Sequence, residues 1–379
     1  MIKAAFRTNA GYWQTVLFIL YGLLAIVVCF QLLHSVSNNF IIFSQSSRHL
    51  LQGLPLYQLY PQQYEDYFLY HPSFAVLFLP FGFLPYSAGV CTWTLLSSLL
   101  ILYAIRSVPT IAPREKNLLL LFLLPEFINN LQYAQTNVVL VSLMVLTYNS
   151  FEKKHWLQAG LFTALCFCIK GYGGIVGLLF LFYPNKWKFV LAAGIATIAI
   201  CLLPLFFTNV TGAIRLYTDW LGMISSDEIR ESMSVTGIAR KWGITEGVVT
   251  IFGSILLIVF TGALLVAQRF GKGMLLLSWL LLWVVLFNRA AESPTYLLAA
   301  MGAGLWLAAK GFAGNWLRSA AVFILVLYLL DSDLFPHIHR QFYENQLKVF
   351  AYLLPLIIMF ANVFSGLTPG LSNRPEREN

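Results

Sequence analysis

Residues 35–74 read "SVSNNFIIFSQSSRHLLQGLPLYQLYPQQYEDYFLYHPSF", a polar and aromatic-rich segment that follows the apolar run 12–33. A run of about 20 apolar residues is long enough to span a membrane as a helix. It is too long for the apolar part of a secretory signal, which has about 7–15 residues. The sequence therefore predicts an uncleaved first membrane helix, followed by a long loop outside the bilayer.

The composition indicates the same class of protein for the whole chain. Hydrophobic residues make up 59% of the 379 residues and charged residues 11%, whereas soluble domains average about 25% charged residues. We expect an all-α, polytopic helical membrane protein. The net charge of +8 does not indicate nucleic-acid binding, because the basic residues separate the apolar runs and form no single patch. The five cysteines match no metal-site or disulfide spacing and are interpreted as packing residues.

Short loops that carry Lys and Arg remain in the cytoplasm, so these residues predict the orientation of the helices in the membrane. With all seven basic loops inside, twelve helices cross the membrane and both termini are cytoplasmic. The predicted crossings are 12–33, 86–105, 117–133, 137–151, 157–170, 172–184, 189–207, 245–267, 273–288, 294–309, 319–331 and 349–365. We expect one integral membrane domain over residues 1–379, in a bacterial cytoplasmic membrane.

One apolar segment, 74–85, is excluded from this count. It has 12 residues, too few for a crossing, and is interpreted as a re-entrant or interfacial helix. The predicted outer segments are 34–85, 133–137, 170–172, 208–244, 288–293 and 332–348. The first and the fourth of these are the large outer loops.

Several motifs in this order resemble glycosyltransferase family 87, whose members have the GT-C fold and use polyprenyl-phosphate mannose. The motifs are "NNFIIFSQSSRHLLQGLPLY", "YHPSFAVLFLPFGFLP", "LQYAQTNVVLVSLMVL", "AGLFTALCFCIKGYGG", "SMSVTGI" and "ESPTYLLAA". The resemblance implies a hexosyltransferase with a long first outer loop that carries interfacial helices. It also implies a polyprenyl-phosphate sugar donor and a lipid or glycan acceptor at the outer membrane face.

The chain departs from the family pattern at two positions. Asn39 stands where the family has an aspartate that is thought to be catalytic, and the family's histidine after Ser-Pro is absent from "SPTYLLA". An amide cannot act as a general base, so either another carboxylate replaces that aspartate or the chain is not an active transferase.

Inverting transfer needs a carboxylate to take the acceptor proton, and cations to stabilise the leaving phosphate. Candidate bases are Glu292 and Asp66, with Glu126 third; Glu65, beside Asp66, points elsewhere on a helix. Either Glu126 or Glu292 could instead be a structural partner of Lys170 or Arg289. The candidate phosphate-binding residues are Lys170, Arg289 and Arg48. The candidate substrate-binding residues are Asn39, Tyr57, Tyr64, His71, Gln135, Asn137 and Ser293.

No cofactor or metal is expected. His337 and His339 lie two apart, but Asp331 and Asp333 do not complete a ligand set with them. Besides a transferase, the sequence leaves open a catalytically inactive relative that binds the donor, and a lipid-carrier transporter or flippase. No internal repeat of the kind found in transporters is seen. The expected partners are the donor, the acceptor and membrane lipids, without nucleic acid, and the protein is expected to be a monomer.

Overall fold

The computed structural model describes residues 10–225, 232–267, 271–311, 320–321, 323–324 and 346–365. Within these ranges every regular element is a helix and no strand is present. The all-α prediction is therefore confirmed for the part of the chain that the structure describes.

Fifteen α-helices are described. They are α1 (Ala10–His34), α2 (Asn38–Leu51), α3 (Pro72–Leu77), α4 (Leu79–Gly82), α5 (Tyr86–Arg106), α6 (Pro113–Gln132), α7 (Asn137–Glu152), α8 (Trp156–Ile169), α9 (Lys186–Cys201), α10 (Val210–Ser225), α11 (Val235–Lys241), α12 (Glu246–Val266), α13 (Lys272–Leu286), α14 (Tyr296–Lys310) and α15 (Leu347–Ser365). Three segments form 3₁₀-helix, at Gly171–Phe182, Leu203–Phe206 and Ser293–Thr295.

The centre of the protein is formed by α7, α13 and α14. Fourteen of the 16 residues of α7 are buried, as are 13 of the 15 residues of α14. Helix α14 packs against α13 and α6, and α7 packs against α8 and α5. A helix that is apolar on all sides is stable only when protein or lipid surrounds it, and these helices are surrounded by protein.

Two other helices present apolar side chains at the surface. The exposed side chains on α9 include Val190, Ile195 and Ile198, and those on α12 include Ile251 and Ile258. Apolar surface of this extent is stable against lipid chains and unfavourable in water. We therefore interpret α9 and α12 as lipid-facing helices.

Five described helices are long and apolar enough to cross a membrane: Gly11–His34, Tyr86–Arg106, Lys186–Phe206, Glu246–Val266 and Leu347–Ser365. They coincide with five of the predicted crossings. The total of twelve stays a prediction, because the other described helices at predicted crossings are shorter or less apolar. The predicted crossing 319–331 lies almost entirely outside the described residues, and the division into one domain is likewise still a prediction.

The first long loop, 34–85, is organised around α2. Ser37 caps α2 by accepting a hydrogen bond from the Phe40 backbone N–H. Ser47 Oγ donates to the Ala75 carbonyl at 2.7 Å, which ties α2 to α3. The segment 74–85 contains the two short helices α3 and α4, neither of which is long enough to cross a bilayer.

Candidate active site

A cavity of about 420 Å³ lies between the first loop, α10 and the segment that precedes α14. This volume is typical of a site for a small molecule or part of a larger ligand. Seven of the residues predicted from the sequence line it: Asn39, Asp66, His71, Gln135, Lys170, Arg289 and Glu292. The fold thus brings together polar residues that are up to about 250 positions apart in the chain.

Lys170 is fixed at the point where α8 gives way to the 3₁₀-helix Gly171–Phe182. Its Nζ donates to Asn137 Oδ1 at 2.8 Å, and it lies 6.0 Å from the centre of the Tyr70 ring. The glycine-rich stretch after it serves packing, because a Cβ on Gly173 would lie only 2.6 Å from the Cys166 carbonyl oxygen. The ammonium group is therefore held in place by an amide and a ring while it faces the cavity.

Glu292 is held by contacts from two sides. Gln135 Nε2 donates to Glu292 Oε2 at 3.4 Å, and the Thr295 backbone N–H donates to the same carboxylate in a capping box. An electrostatic interaction also joins Glu292 to Lys170. A carboxylate, a lysine and a buried amide therefore form one group on the cavity wall.

Tyr70 interacts electrostatically with both candidate bases. Burial raises the pKa of Tyr70, the hydrogen bond with Thr136 opposes this change, and the carboxylates of Glu292 and Asp66 add to it. The hydroxyl lies 3.2 Å from Thr136 Oγ1. Because both carboxylates act on one phenol, Asp66 and Glu292 lie close to the same part of the cavity.

Arg289 and Glu292 belong to a short connection that α11 and the residues before it hold in place. Hydroxyl groups of Ser232 and Ser234 donate to the Asn288 carbonyl at 3.0 and 2.7 Å. The Met233 N–H donates to the Ala291 carbonyl at 2.7 Å. Two of the motifs noted in the sequence, "SMSVTGI" and "ESPTYLLAA", thus meet in the structure and fix the connection between them.

Arg289 is the more exposed of the two cavity cations. Its side chain is 48% exposed, and its Nε lies 3.7 Å from Glu246 Oε2. Arg240 also pairs with Glu246 and donates to the Arg289 carbonyl at 2.8 Å. Glu246 is thus shared by Arg240 and Arg289, and the half-exposed Arg289 guanidinium lies at the rim of the cavity.

His71 lies in an aromatic wall and is uncharged at neutral pH. Burial lowers the pKa of His71 to about 4, and its Nδ1 accepts a hydrogen bond from the Ser73 N–H. Its ring packs edge-on against Trp220, Phe167 and Tyr217, at 4.8, 5.8 and 5.2 Å between ring centres. A neutral imidazole cannot supply positive charge to a phosphate, so His71 contributes shape and polarity to the cavity.

Asn39 uses its amide as a donor. Its Nδ2 donates to the Tyr133 carbonyl at 3.0 Å, and Ser37 Oγ donates to the same oxygen at 3.1 Å. The start of α2 is therefore attached to the turn that carries Gln135. A carboxylate at position 39 would present an acceptor to an acceptor, so this contact favours the amide.

We expect Asn39→Asp to lower the free energy of unfolding by about 1 kcal/mol, because the hydrogen bond to the Tyr133 carbonyl is lost. The neighbouring variant Asn38→Asp is the matched control, because Asn38 Oδ1 accepts from the Glu65 N–H at 2.9 Å and a carboxylate can still do so. The measurement is the unfolding midpoint of both variants in detergent. Equal midpoints for the two variants would contradict the donor role of Asn39.

The other predicted site residues do not line the cavity. Arg48 Nε donates to the Gly82 carbonyl at 3.1 Å, and the Tyr57 hydroxyl donates to the Tyr70 carbonyl at 2.8 Å. Tyr64 is buried against Tyr60 and His49. These three residues make contacts within the first loop and do not line the cavity.

Glu126 is buried and does not line the cavity. Its carboxylate lies 2.5 Å from Lys348 Nζ, and the two side chains are 2% and 6% exposed. The suggested pairing of Glu126 with Lys170 or Arg289 is therefore wrong. Ser293 also belongs to this cluster, since Asn129 Nδ2 and Lys348 Nζ lie 3.3 and 3.5 Å from its hydroxyl. Asn137 does not line the cavity, and its Oδ1 accepts a hydrogen bond from Lys170 Nζ.

Sequence reasoning missed Tyr70, Tyr172 and Trp220 among the residues that line the cavity. Tyr70 adjoins the predicted His71, and Trp220 lies one helical turn from Met223, which lines the same cavity. Within the described ranges no group of three His, Cys, Asp or Glu residues could hold a metal ion. Residues 331–339, with the two histidines considered above, lie outside those ranges.

The fold and cavity define a polytopic membrane protein with a polar site enclosed by helices. The sequence model of glycosyltransferase family 87 matches residues 68–309. This is more than half of the chain, so the protein belongs to glycosyltransferase family 87 and is a membrane glycosyltransferase. No curated protein matches the chain. Asn39 and Asp66 precede the matched residues, whereas Gln135, Lys170 and Glu292 lie within them.

Proposed function

We propose that the protein transfers a hexose from a polyprenyl phosphate to a hydroxyl of a lipid or glycan at the outer face of the membrane. Mannose is the first sugar to test. The observation that carries the proposal is the meeting of Lys170 and Arg289 with Glu292 and Asp66 around one cavity. A leaving phosphate requires the cations, and an attacking hydroxyl requires a carboxylate.

The position of α10 supports a donor with a long apolar chain. Ile224 lines the cavity and is 42% exposed, and Leu221 beside it is 51% exposed. The polar residues of α10 include Arg215 and Asp219, which pair with each other. A helix with one apolar and one polar face is stable at the membrane interface. The cavity would then open to lipid beside Ile224, where a polyprenyl chain can enter.

In the proposed reaction the acceptor hydroxyl attacks the anomeric carbon from the side opposite the phosphate. Its proton passes to Glu292, a carbon–oxygen bond forms, and the bond between the anomeric carbon and the phosphate oxygen breaks with inversion. The electron pair of that bond leaves with the polyprenyl phosphate, whose added charge Lys170 and Arg289 stabilise. Electrostatic stabilisation of this kind is commonly the largest single contribution to catalysis.

Glu292 is our first choice as base and Asp66 the second. Two donors orient the Glu292 carboxylate, from Gln135 and from Thr295. Asp66 Oδ1 accepts from the Tyr67 N–H of its own loop at 2.7 Å, and it precedes the matched part of the chain. Asn39 is assigned no proton transfer.

Lys170→Met is expected to lower kcat/KM for polyprenyl-phosphate mannose by about 10²-fold, because it removes positive charge from the leaving phosphate. Lys170→Arg should keep part of the activity. Lys188→Met is the matched control, since Lys188 lies over the exposed Trp187 ring, outside the cavity. The measurement is transfer or donor hydrolysis by purified protein, with a short-chain donor labelled in the sugar.

Equal rates for Lys170→Met and the wild type would contradict the role of Lys170. An inactive wild type in which only Asn39→Asp acquires turnover would indicate the alternative function, a relative that binds the donor without catalysis. Transbilayer movement of the intact donor in proteoliposomes, without sugar transfer, would indicate a flippase.

A further inference from the structure

Two polar atoms of the cavity wall are left without a partner by the described residues. Gln135 is 6% exposed and Trp220 is 9% exposed, and both side chains line the cavity. Gln135 Oε1 receives no hydrogen bond and Trp220 Nε1 donates none among the residues that the structure describes. Buried polar atoms are nearly always paired, so an unpaired one at a cavity wall points to a ligand.

The orientation of the Gln135 amide follows from its neighbour. An ionised carboxylate only accepts hydrogen bonds, so the amide must turn its NH₂ group to Glu292 Oε2 and its oxygen away from it. The backbone turn that carries Gln135 is fixed as well. Trp93 Nε1 donates to the Ala134 carbonyl at 3.1 Å, and the Gln135 N–H donates to the Asn130 carbonyl at 3.1 Å. Gln135 therefore presents a fixed, unused acceptor.

Trp220 presents the opposite group. An indole N–H only donates, and the ring is held edge-on against His71 and Phe167. Two side chains of the cavity wall thus carry one unused acceptor and one unused donor, both buried. A phosphate oxygen cannot donate to Gln135, and an isoprenoid chain can neither donate nor accept. A hydroxyl group does both, so a ring that carries several hydroxyls satisfies the two atoms together.

We propose that Gln135 Oε1 and Trp220 Nε1 bind two hydroxyls of the transferred sugar and determine which sugar the enzyme accepts. This inference rests on the proposed function and adds its sugar-binding residues. The sugar carries the phosphate on its anomeric carbon, so the ring must lie next to Lys170. Gln135 is two positions from Asn137, which binds Lys170, and Trp220 packs on His71, next to the tyrosine ring that faces Lys170.

The test uses polyprenyl-phosphate mannose and glucose donors in which each ring hydroxyl in turn is replaced by hydrogen. In the wild type, loss of a bound hydroxyl should lower kcat/KM by at least about 10-fold, because a polar group of the site is then left unpaired. In Trp220→Phe the same deoxy donor and its parent should differ by less than about 2-fold, because the N–H that distinguishes them is gone.

Gln135→Met should remove the preference for a hydroxyl other than the one that Trp220→Phe affects. This provides a second and independent readout. Trp187→Phe, at an exposed tryptophan outside the cavity, is the matched control and should keep the wild-type preference for every hydroxyl. If Gln135 and Trp220 had only a structural role, their variants would lose activity with all donors alike. The ratio of kcat/KM between the parent and each deoxy donor would then stay unchanged.

Suppose that the wild type transfers sugar and that both variants keep the wild-type ratios of kcat/KM between the parent donor and each deoxy donor. The inference is then wrong and the proposed function stands. If the wild type transfers sugar from no donor, the proposed function fails and the inference fails with it.

Discussion

Glu292→Gln is expected to lower turnover by about 10²–10⁴-fold, the usual contribution of a general base, with little change in donor affinity. The amide has nearly the same shape, and its single oxygen can still accept from one of the two donors, Gln135 or the Thr295 N–H. It cannot take a proton from the acceptor. The measurement is kcat with saturating donor and acceptor, together with the dissociation constant of the donor.

Asp66→Asn is the matched comparison, since both carboxylates act on Tyr70 and both changes remove one negative charge from the cavity. We expect a much smaller loss for Asp66→Asn. The reverse order of the two losses would assign the base to Asp66. Equal, small losses would contradict both assignments.

The second large effect concerns stability. Lys348→Met is expected to lower the free energy of unfolding by about 3–5 kcal/mol, because it removes one partner of the buried ion pair between Lys348 and Glu126. The double variant Glu126→Leu with Lys348→Met should recover most of the loss, since it removes both charges. The measurement is unfolding of the purified protein in detergent, followed by tryptophan fluorescence.

Asp219→Asn provides the control for the second prediction. Its pair with Arg215 is exposed, with side chains 42% and 74% accessible, and such pairs contribute at most about 1 kcal/mol. If the Lys348 variant is no less stable than the Asp219 variant, the Glu126–Lys348 pair does not hold α15 against the core.

The sequence predicted an all-helical membrane protein because hydropathy depends only on composition along the chain. It also predicted seven of the residues that line the cavity, several of them because a polar residue near the end of an apolar run needs a polar surrounding. It did not predict which of these residues meet. Gln135 and Glu292 are 157 positions apart, and no periodicity connects them.

Two kinds of error have physical causes. The predicted outer segment 332–348 ends at Lys348, whereas the structure places this lysine in the first turn of α15, where the buried Glu126 carboxylate pairs with it. Trp220 was overlooked because aromatic residues are common at membrane interfaces for reasons unrelated to ligands. Its place in the cavity wall, together with its unpaired N–H, is visible only in the structure.

The 3₁₀-helix Gly171–Phe182 also affects how far the chain reaches. A 3₁₀-helix rises about 2.0 Å per residue and an α-helix about 1.5 Å. Its 12 residues therefore extend about 24 Å, where the same number in α-helix would extend about 18 Å. The segment joins Lys170 at the cavity to Tyr183, which donates to Glu152 at 2.5 Å. A count of residues at the α-helical rise thus underestimates by about 6 Å the thickness of bilayer that this segment can match.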